Sequence, residues 1–186
     1  MKGILVLFLM VFCVHTAKSA CVLANDSVAI KWTAFKTPAK VGVSGGFKLV
    51  EVKSQKGDDA LGSLDGATAK IMTSSVNSKH SARDKKIFTF FFKSMKDGKE
   101  INAVVNKVNQ KKSHLVLDIT MNGITKKVPL KYVLSGNDFK AKGHIDILDF
   151  AMNGQLASLN KACLAKHQGK TWSDVSLELT AQINCQ

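Results

Sequence analysis

Arginine is nearly absent from this chain. Arg83 is the only one among 27 basic side chains, and against 14 acidic groups the net charge is +13. Recognition of phosphates and base edges favours the flat, bidentate guanidinium, so this scarcity argues against nucleic acid as a partner despite the charge. Scattered lysines such as Lys31, Lys36, Lys53, Lys56, Lys93 and Lys96 read as solvated sheet edges and outer faces. Weak attraction to an anionic membrane surface is the interaction that such a charge leaves open.

Catalytic signatures are missing too. The sequence has no G-x-S-x-G elbow, no H-E-x-x-H helix and no phosphate-cradling glycine loop. Cys163 and His167 form the only nucleophile–base spacing worth naming, and a lone thiol beside Leu156 and Leu159 accounts for Cys163 more simply. His80 with Asp84, and Cys163 with His167, stand four apart, but neither pair has a third and fourth metal ligand nearby. His114 and His144 fall at outward strand positions. His80, Arg83 and Asp84 read instead as a hydrogen-bonded clasp that holds a surface turn to the body. The expectation is a protein that is not an enzyme and carries no metal or cofactor.

The first 19 residues have the character of a secretory leader. Lys2 gives a positive start, residues 3–14 are an apolar run too short to span a bilayer, and Ala17-Lys18-Ser19 offers a cleavage site. Acylation of Cys21 is the rival, but it wants a leucine-like residue where Lys18 stands. No later run is long and apolar enough to cross a membrane. Residues 20–186 then form one domain, periplasmic or secreted. Three cysteines follow the leader: Cys21, Cys163 and Cys185. If the first strand starts near Cys21 and the last ends near Cys185, antiparallel pairing joins those ends. A Cys21–Cys185 disulfide would leave Cys163 free.

The strongest local signal is Asn122-Gly123, a pair suited to the positive φ of a type I′ hairpin turn. Pairing outward from it sets Met121 against Ile124, Ile119 against Lys126, Leu117 against Val128 and Leu115 against Leu130. One face is then apolar from Leu115 to Leu134, broken only by Lys126, and the other is polar. Similar alternation recurs at Val28–Ala34, Phe47–Glu51, Ala67–Thr73, Ile101–Val105, Phe139–Ile147 and Val175–Ile183. Residues 78–86 read as a short helical turn. In Met152–His167 the rhythm changes: Leu156, Leu159, Cys163 and Leu164 recur at helical spacing and Gly169 is a stop.

The expected fold is all-β: eight antiparallel strands closed into a barrel, with one short helical turn and one amphipathic helix before the last strand. Closure removes the exposed edges of a one-faced sheet. Small inward residues (Ala34, Ala67, Ala69, Ala103, Ala141, Gly143 and Ala181) would leave an apolar hollow.

Four segments carry a family resemblance. The run Ser75 to Asp84, the hairpin Met121 to Val128, the stretch Phe139 to Phe150 and the glycine-rich Val41 to Phe47 resemble, in order, motifs of the YceI-like family. The chain departs at residues 37–41, which lack the family's His-Leu/Met-Gly pattern, and in a longer helical insertion near Leu156–His167. The resemblance implies a lipocalin-like, eight-stranded barrel that holds a polyisoprenoid or another long-chain amphiphile.

On this reading the ligand-lining residues are Trp32, Phe47, Ile71, Phe88, Phe91, Phe92, Leu117, Ile119, Leu130, Tyr132, Ile145 and Leu177. The run Ile87 to Phe92 serves as core or as a greasy lid. The expected ligand is an isoprenoid quinone, a polyprenol or a fatty-acid derivative, stored, sensed or carried inside the barrel. The alternative is a filled barrel that docks on a membrane complex, and a homodimer is open.

Overall fold

The computed structural model describes residues 20–167 and 170–186, with nothing specified for the side chain of His167. Residues 1–19, expected to be a leader, and Gly169, expected to be a stop, lie outside the described residues. Strands run in chain order: β1 (Cys21–Leu23), β2 (Ala29–Lys36), β3 (Val41–Phe47), β4 (Val50–Lys53), β5 (Thr68–Met72), β6 (Val76–Asn77), β7 (Glu100–Asn109), β8 (His114–Met121), β9 (Ile124–Ser135), β10 (Asp138–Asp146) and β11 (Thr171–Cys185). Among the described residues, three α-helices interrupt them: α1 (Ser81–Phe90), α2 (Asn153–Ala162) and α3 (Leu164–His167).

The hairpin of β8 and β9 has the register that its alternation requires. Met121 pairs with Ile124, Ile119 with Lys126, Leu117 with Val128 and Leu115 with Leu130. Asn122 and Gly123 turn the chain with φ of 55° and 73°. Leu115, Leu117, Ile119, Met121, Val128 and Leu130 are buried, as one dry face demands.

All neighbouring strands are antiparallel, in the order β4-β5-β7-β8-β9-β10-β11-β2-β3-β6. The two ends of that order meet. β3 runs through Lys48 and Leu49 into β4, and β5 runs through a 3-10 turn at Thr73–Ser75 into β6. Both halves of these bent strands pair with one another, β3 with β6 and β4 with β5. At the bend, Lys48 N–H donates to the Ser75 carbonyl at 3.0 Å, Leu49 N–H to Ser75 Oγ at 3.0 Å, and Met72 N–H to the Leu49 carbonyl at 3.1 Å. The seam is thus hydrogen-bonded through its kink, and the sheet curls round on itself. Eight strands were expected where eleven segments are present; counting each bent pair as one and setting β1 aside gives eight again. The alternation Phe47–Glu51 continues through the bend at Lys48 and Leu49, which is why the sequence shows β3 and β4 without a break there.

One end of the barrel is tied shut. β1 lies on the end of β11 with Cys21 opposite Cys185, and the two form a disulfide. Its sulfur atoms are therefore committed, which leaves Cys163 as the free thiol and Cys21 unavailable for acylation in this state. Cys21 also exchanges two backbone hydrogen bonds with Gly57, both 2.9 Å, and so draws the loop after β4 across the same end. Leu23, Leu64 and Tyr132 are buried there.

Helices cover the opposite end. The expected short helical turn is a ten-residue helix, α1, that runs into the phenylalanine cluster. Its period explains that cluster: Ile87 and Phe91, four apart, turn toward the interior, while Phe90 is 38% exposed. The expected clasp is present, with Ser78 at its centre. Arg83 Nε donates to Ser78 Oγ at 2.7 Å and its Nη2 to the Ser78 carbonyl at 2.8 Å, while Asp84 accepts from the Ser78 N–H at 2.8 Å and from its hydroxyl. The amphipathic helix expected from Met152 to His167 breaks at Cys163 into α2 and α3. Leu156 and Leu159 pack against the core, whereas Leu164, expected on the same face, lies beyond the break and is 64% exposed.

Replacing both Cys21 and Cys185 by serine reopens a loop with a sequence separation of 164. We expect a loss of about 2–5 kcal/mol by urea unfolding, with the strand signature in circular dichroism kept at low temperature. An unchanged midpoint would show that the tie contributes nothing.

Candidate functional site

The interior is hollow. A lower chamber of about 150 Å³ lies in the barrel and a second of about 140 Å³ lies between the barrel and its helices. Six residues line both: Trp32, Phe47, Ile101, Met121, Ile145 and Leu177. They form a shared waist between the two adjoining spaces, and a passage through both would run past them. Together they sit near the lower end of the range for ligand pockets, which starts at about 300 Å³. No charged side chain lines either chamber, and Thr68, Thr180 and Thr171 bring the only hydroxyls.

Small side chains keep the lower chamber open. Ala67, Ala69, Ala103 and Ala181 all line it, as Ala34 lines the upper one. Trp32 sets the waist. Its ring lies across Gly45, its partner on β3, so closely that a Cβ at Gly45 would fall 2.3 Å from the indole. The indole Nε1 donates to the Gly46 carbonyl at 3.3 Å, which orients the ring. Glycine at residue 45 therefore lets the largest side chain of β2 lie against the wall instead of across the passage.

Of the residues expected to line a ligand site, Trp32, Phe47, Ile71, Phe91, Phe92, Leu117, Ile119, Ile145 and Leu177 border one chamber or both. Phe91 and Phe92 meet edge to face, with centroids 5.2 Å apart, and Phe92 packs on Phe47 at 5.9 Å. Three do not border the passage. Phe88 packs on the core from α1 without reaching the hollow. Leu130 is 1% exposed but sits tight over Gly143, where a Cβ would approach its Cγ to 2.9 Å. Tyr132 fills the closed end against Phe139, with centroids 5.6 Å apart. Ala141 is fully buried without bordering the space.

Ile87, from the run read as core or lid, also lines the upper chamber, and the linings include residues not among those expected there: Leu156 and Leu159 from α2, Leu179 from β11, and Trp172. Leu179 and Leu177 share one alternating face, which was the signal available for it. Trp172 precedes that alternation, next to a register shift in β11 between Thr171 and Val175, so no periodicity marks it.

Among the described residues, no cluster of three metal-ligating side chains exists. Nor is any helix long and apolar enough to cross a membrane. The one phenol in the core, Tyr132, has its hydroxyl buried without a hydrogen-bond partner. Burial, and then the negative charge of Asp59, raise its pKa above the usual value.

The sequence pattern of the YceI-like domain matches residues 21–183. The chain belongs to the YceI-like family. Its fold is similar to that of BcnA from Burkholderia cenocepacia, with a TM-score of 0.61 at 13% identity over 87% of this chain and 99% of that one. It is also similar to a polyisoprenoid binding domain from Saccharophagus degradans, with a TM-score of 0.60 at 12% identity over 91% of this chain and 99% of that one. The YceI protein of Campylobacter jejuni follows, with a TM-score of 0.53 at 16% identity over 78% of this chain and 86% of that one. No curated protein sequence matches the chain significantly.

The orphaned phenol makes a prediction about stability. Tyr132→Phe removes a buried group that bonds nothing, so unfolding free energy should stay level or rise by up to about 1 kcal/mol. Because the folded pKa is raised, the tyrosine's contribution is complete below its unfolded pKa of about 10 and is lost as pH climbs through the folded value. Wild type should therefore gain steepness of alkaline unfolding that the phenylalanine variant lacks. A loss above about 1 kcal/mol at neutral pH would reveal a partner for the hydroxyl.

Proposed function

We propose that this YceI-like protein sequesters and carries a long-chain apolar ligand, an isoprenoid or a fatty-acid derivative, inside its barrel. The observation that carries the reading is a two-chamber passage through the core with no charge in its lining. An alkyl or prenyl tail exchanges water for that lining at about 0.8 kcal/mol per buried methylene. A handful of isoprene units thus outweighs the cost of immobilising a small ligand without any charged anchor. The family pattern and the likeness to a polyisoprenoid binding domain support the same class of cargo.

The chamber that Phe91 and Phe92 share with Leu156 and Leu159 is the way in, because the other end is closed by the disulfide and β1. Tail first is the sensible orientation: the lining offers no charged partner for a polar head. No reaction is ascribed to the protein. Export to the periplasm or beyond fits a Cys21–Cys185 bond, which persists in oxidising compartments. The alternative role, a filled barrel that docks on a membrane complex, would call for a solid interior, and the chambers favour the carrier.

Native mass spectrometry of protein purified without detergent tests this reading. We expect a bound lipid of defined mass, or uptake of added geranylgeraniol, and loss of both in Ile119→Trp, whose indole would occupy the lower chamber of a still-folded barrel. An empty wild type that ignores added prenols and fatty acids would refute the carrier. Equal binding by the tryptophan variant would refute this location.

A further inference from the structure

Trp172 is the point where the passage meets charge. Its ring lines the upper chamber, and two ammonium groups lie over it: Lys170 Nζ at 4.2 Å from the centroid and Lys40 Nζ at 4.5 Å. Cation–π attraction holds the lysines there without neutralising them. This arrangement is built into the backbone. Trp172 Nε1 donates to the Thr37 carbonyl at 2.8 Å, and Thr37 N–H donates to the Lys170 carbonyl at 2.9 Å, so the turn after β2 is latched to the start of β11. Thr37 and Lys40 hold φ of 64° and 53°, a region that non-glycine residues seldom occupy. Their conformation brings Lys40 onto the same ring as Lys170.

The charges cancel only in part. Asp174 forms an ion pair with Lys40, accepting from Nζ with both oxygens at 3.0 Å, so the net positive charge of the rim rests on Lys170. Lys170 has no acidic partner among the described residues. Thr37 Oγ1, in the same turn, is buried without a hydrogen-bond partner. A donor-rich, cationic rim next to an uncharged passage is a poor match for a ligand with a neutral end. It suits one that ends in an anion.

We propose that Lys40 and Lys170, seated on Trp172, bind the anionic polar end of the chain held below them, a phosphate or a carboxylate. The proposal rests on the carrier reading and adds the head-group class. The prenyl-phosphate and fatty-acid sources share this chemistry. An anion here would accept charge-assisted hydrogen bonds from both ammonium groups, while its tail passes Trp172 into the upper chamber.

The test pairs each anionic ligand with its own alcohol: geranylgeranyl phosphate with geranylgeraniol, and palmitate with hexadecanol. Affinities are measured for wild type and for Lys40→Ala/Lys170→Ala at low and at high salt. We expect wild type to favour the anion over its alcohol by about tenfold in at least one pair, with that ratio shrinking in salt and falling near one in the double variant. The pair that shows it identifies the source. Lys170→Glu should invert the preference and covers the case in which the double variant folds poorly. Equal affinity for anion and alcohol in wild type, or a ratio that survives both variants, would overturn the rim site while leaving the carrier intact. If none of the four ligands binds, carrier and rim site fall together.

Discussion

A sheet with one apolar face must hide that face, and everything else in this protein follows from how it does so. One continuous antiparallel order takes up the strands of the wall, so no second sheet is left to cover their apolar face. They curl instead, and the bent pairs β3–β4 and β6–β5 carry the hydrogen bonding through the seam. Closure by curling fixes the wall but leaves the inside to be filled by side chains alone. Here the inward positions at Ala67, Ala69, Ala103 and Ala181 are too small to fill it. The hollow is the consequence of alanine at those registers.

The two ends divide the remaining work. At one, the Cys21–Cys185 bond, the Cys21–Gly57 backbone pair and the tilted contact of Tyr132 with Phe139 draw the chain across the barrel. At the other, α1 and α2 offer Ile87, Phe91, Leu156 and Leu159 to the upper chamber. α1 is anchored to β6 through Ser78, Arg83 and Asp84, and Lys86 Nζ donates to the Ala162 carbonyl at 2.7 Å, which links α1 to α2. The apolar lid is thus held by polar contacts at its edges rather than by the strand ladder. Elements of this kind open at lower free energy than the sheet beneath them.

Much of this was legible in the sequence where two constraints had to agree. The β8–β9 register could be read because an Asn-Gly turn and two alternations share one phase. The disulfide could be read because the first and last strands place Cys21 and Cys185 at one end. Alternation also separates inward from outward residues, but it cannot tell inward from cavity-lining. Leu130 and Tyr132 point inward and yet meet Gly143 and Phe139 instead of space. That distinction depends on what stands across the barrel, which no single strand records. The phenylalanine run is ambiguous for another reason: a helix and a strand both place two of its rings inside, and the helix start rests on the His80 cap, whose Nδ1 accepts from the Arg83 N–H at 3.3 Å, beside the clasp at Ser78. Trp172 carries no periodic signal, because the register shift at the start of β11 breaks the alternation there.

The central claim is that apolar length, filling a passage of fixed size, drives binding. It is tested most directly by affinity measured across a series of straight-chain alcohols of increasing length. The account predicts a gain of about 0.8 kcal/mol, close to fourfold, for each added methylene until the two chambers are full, and a plateau beyond that. Affinity that does not depend on chain length would contradict it.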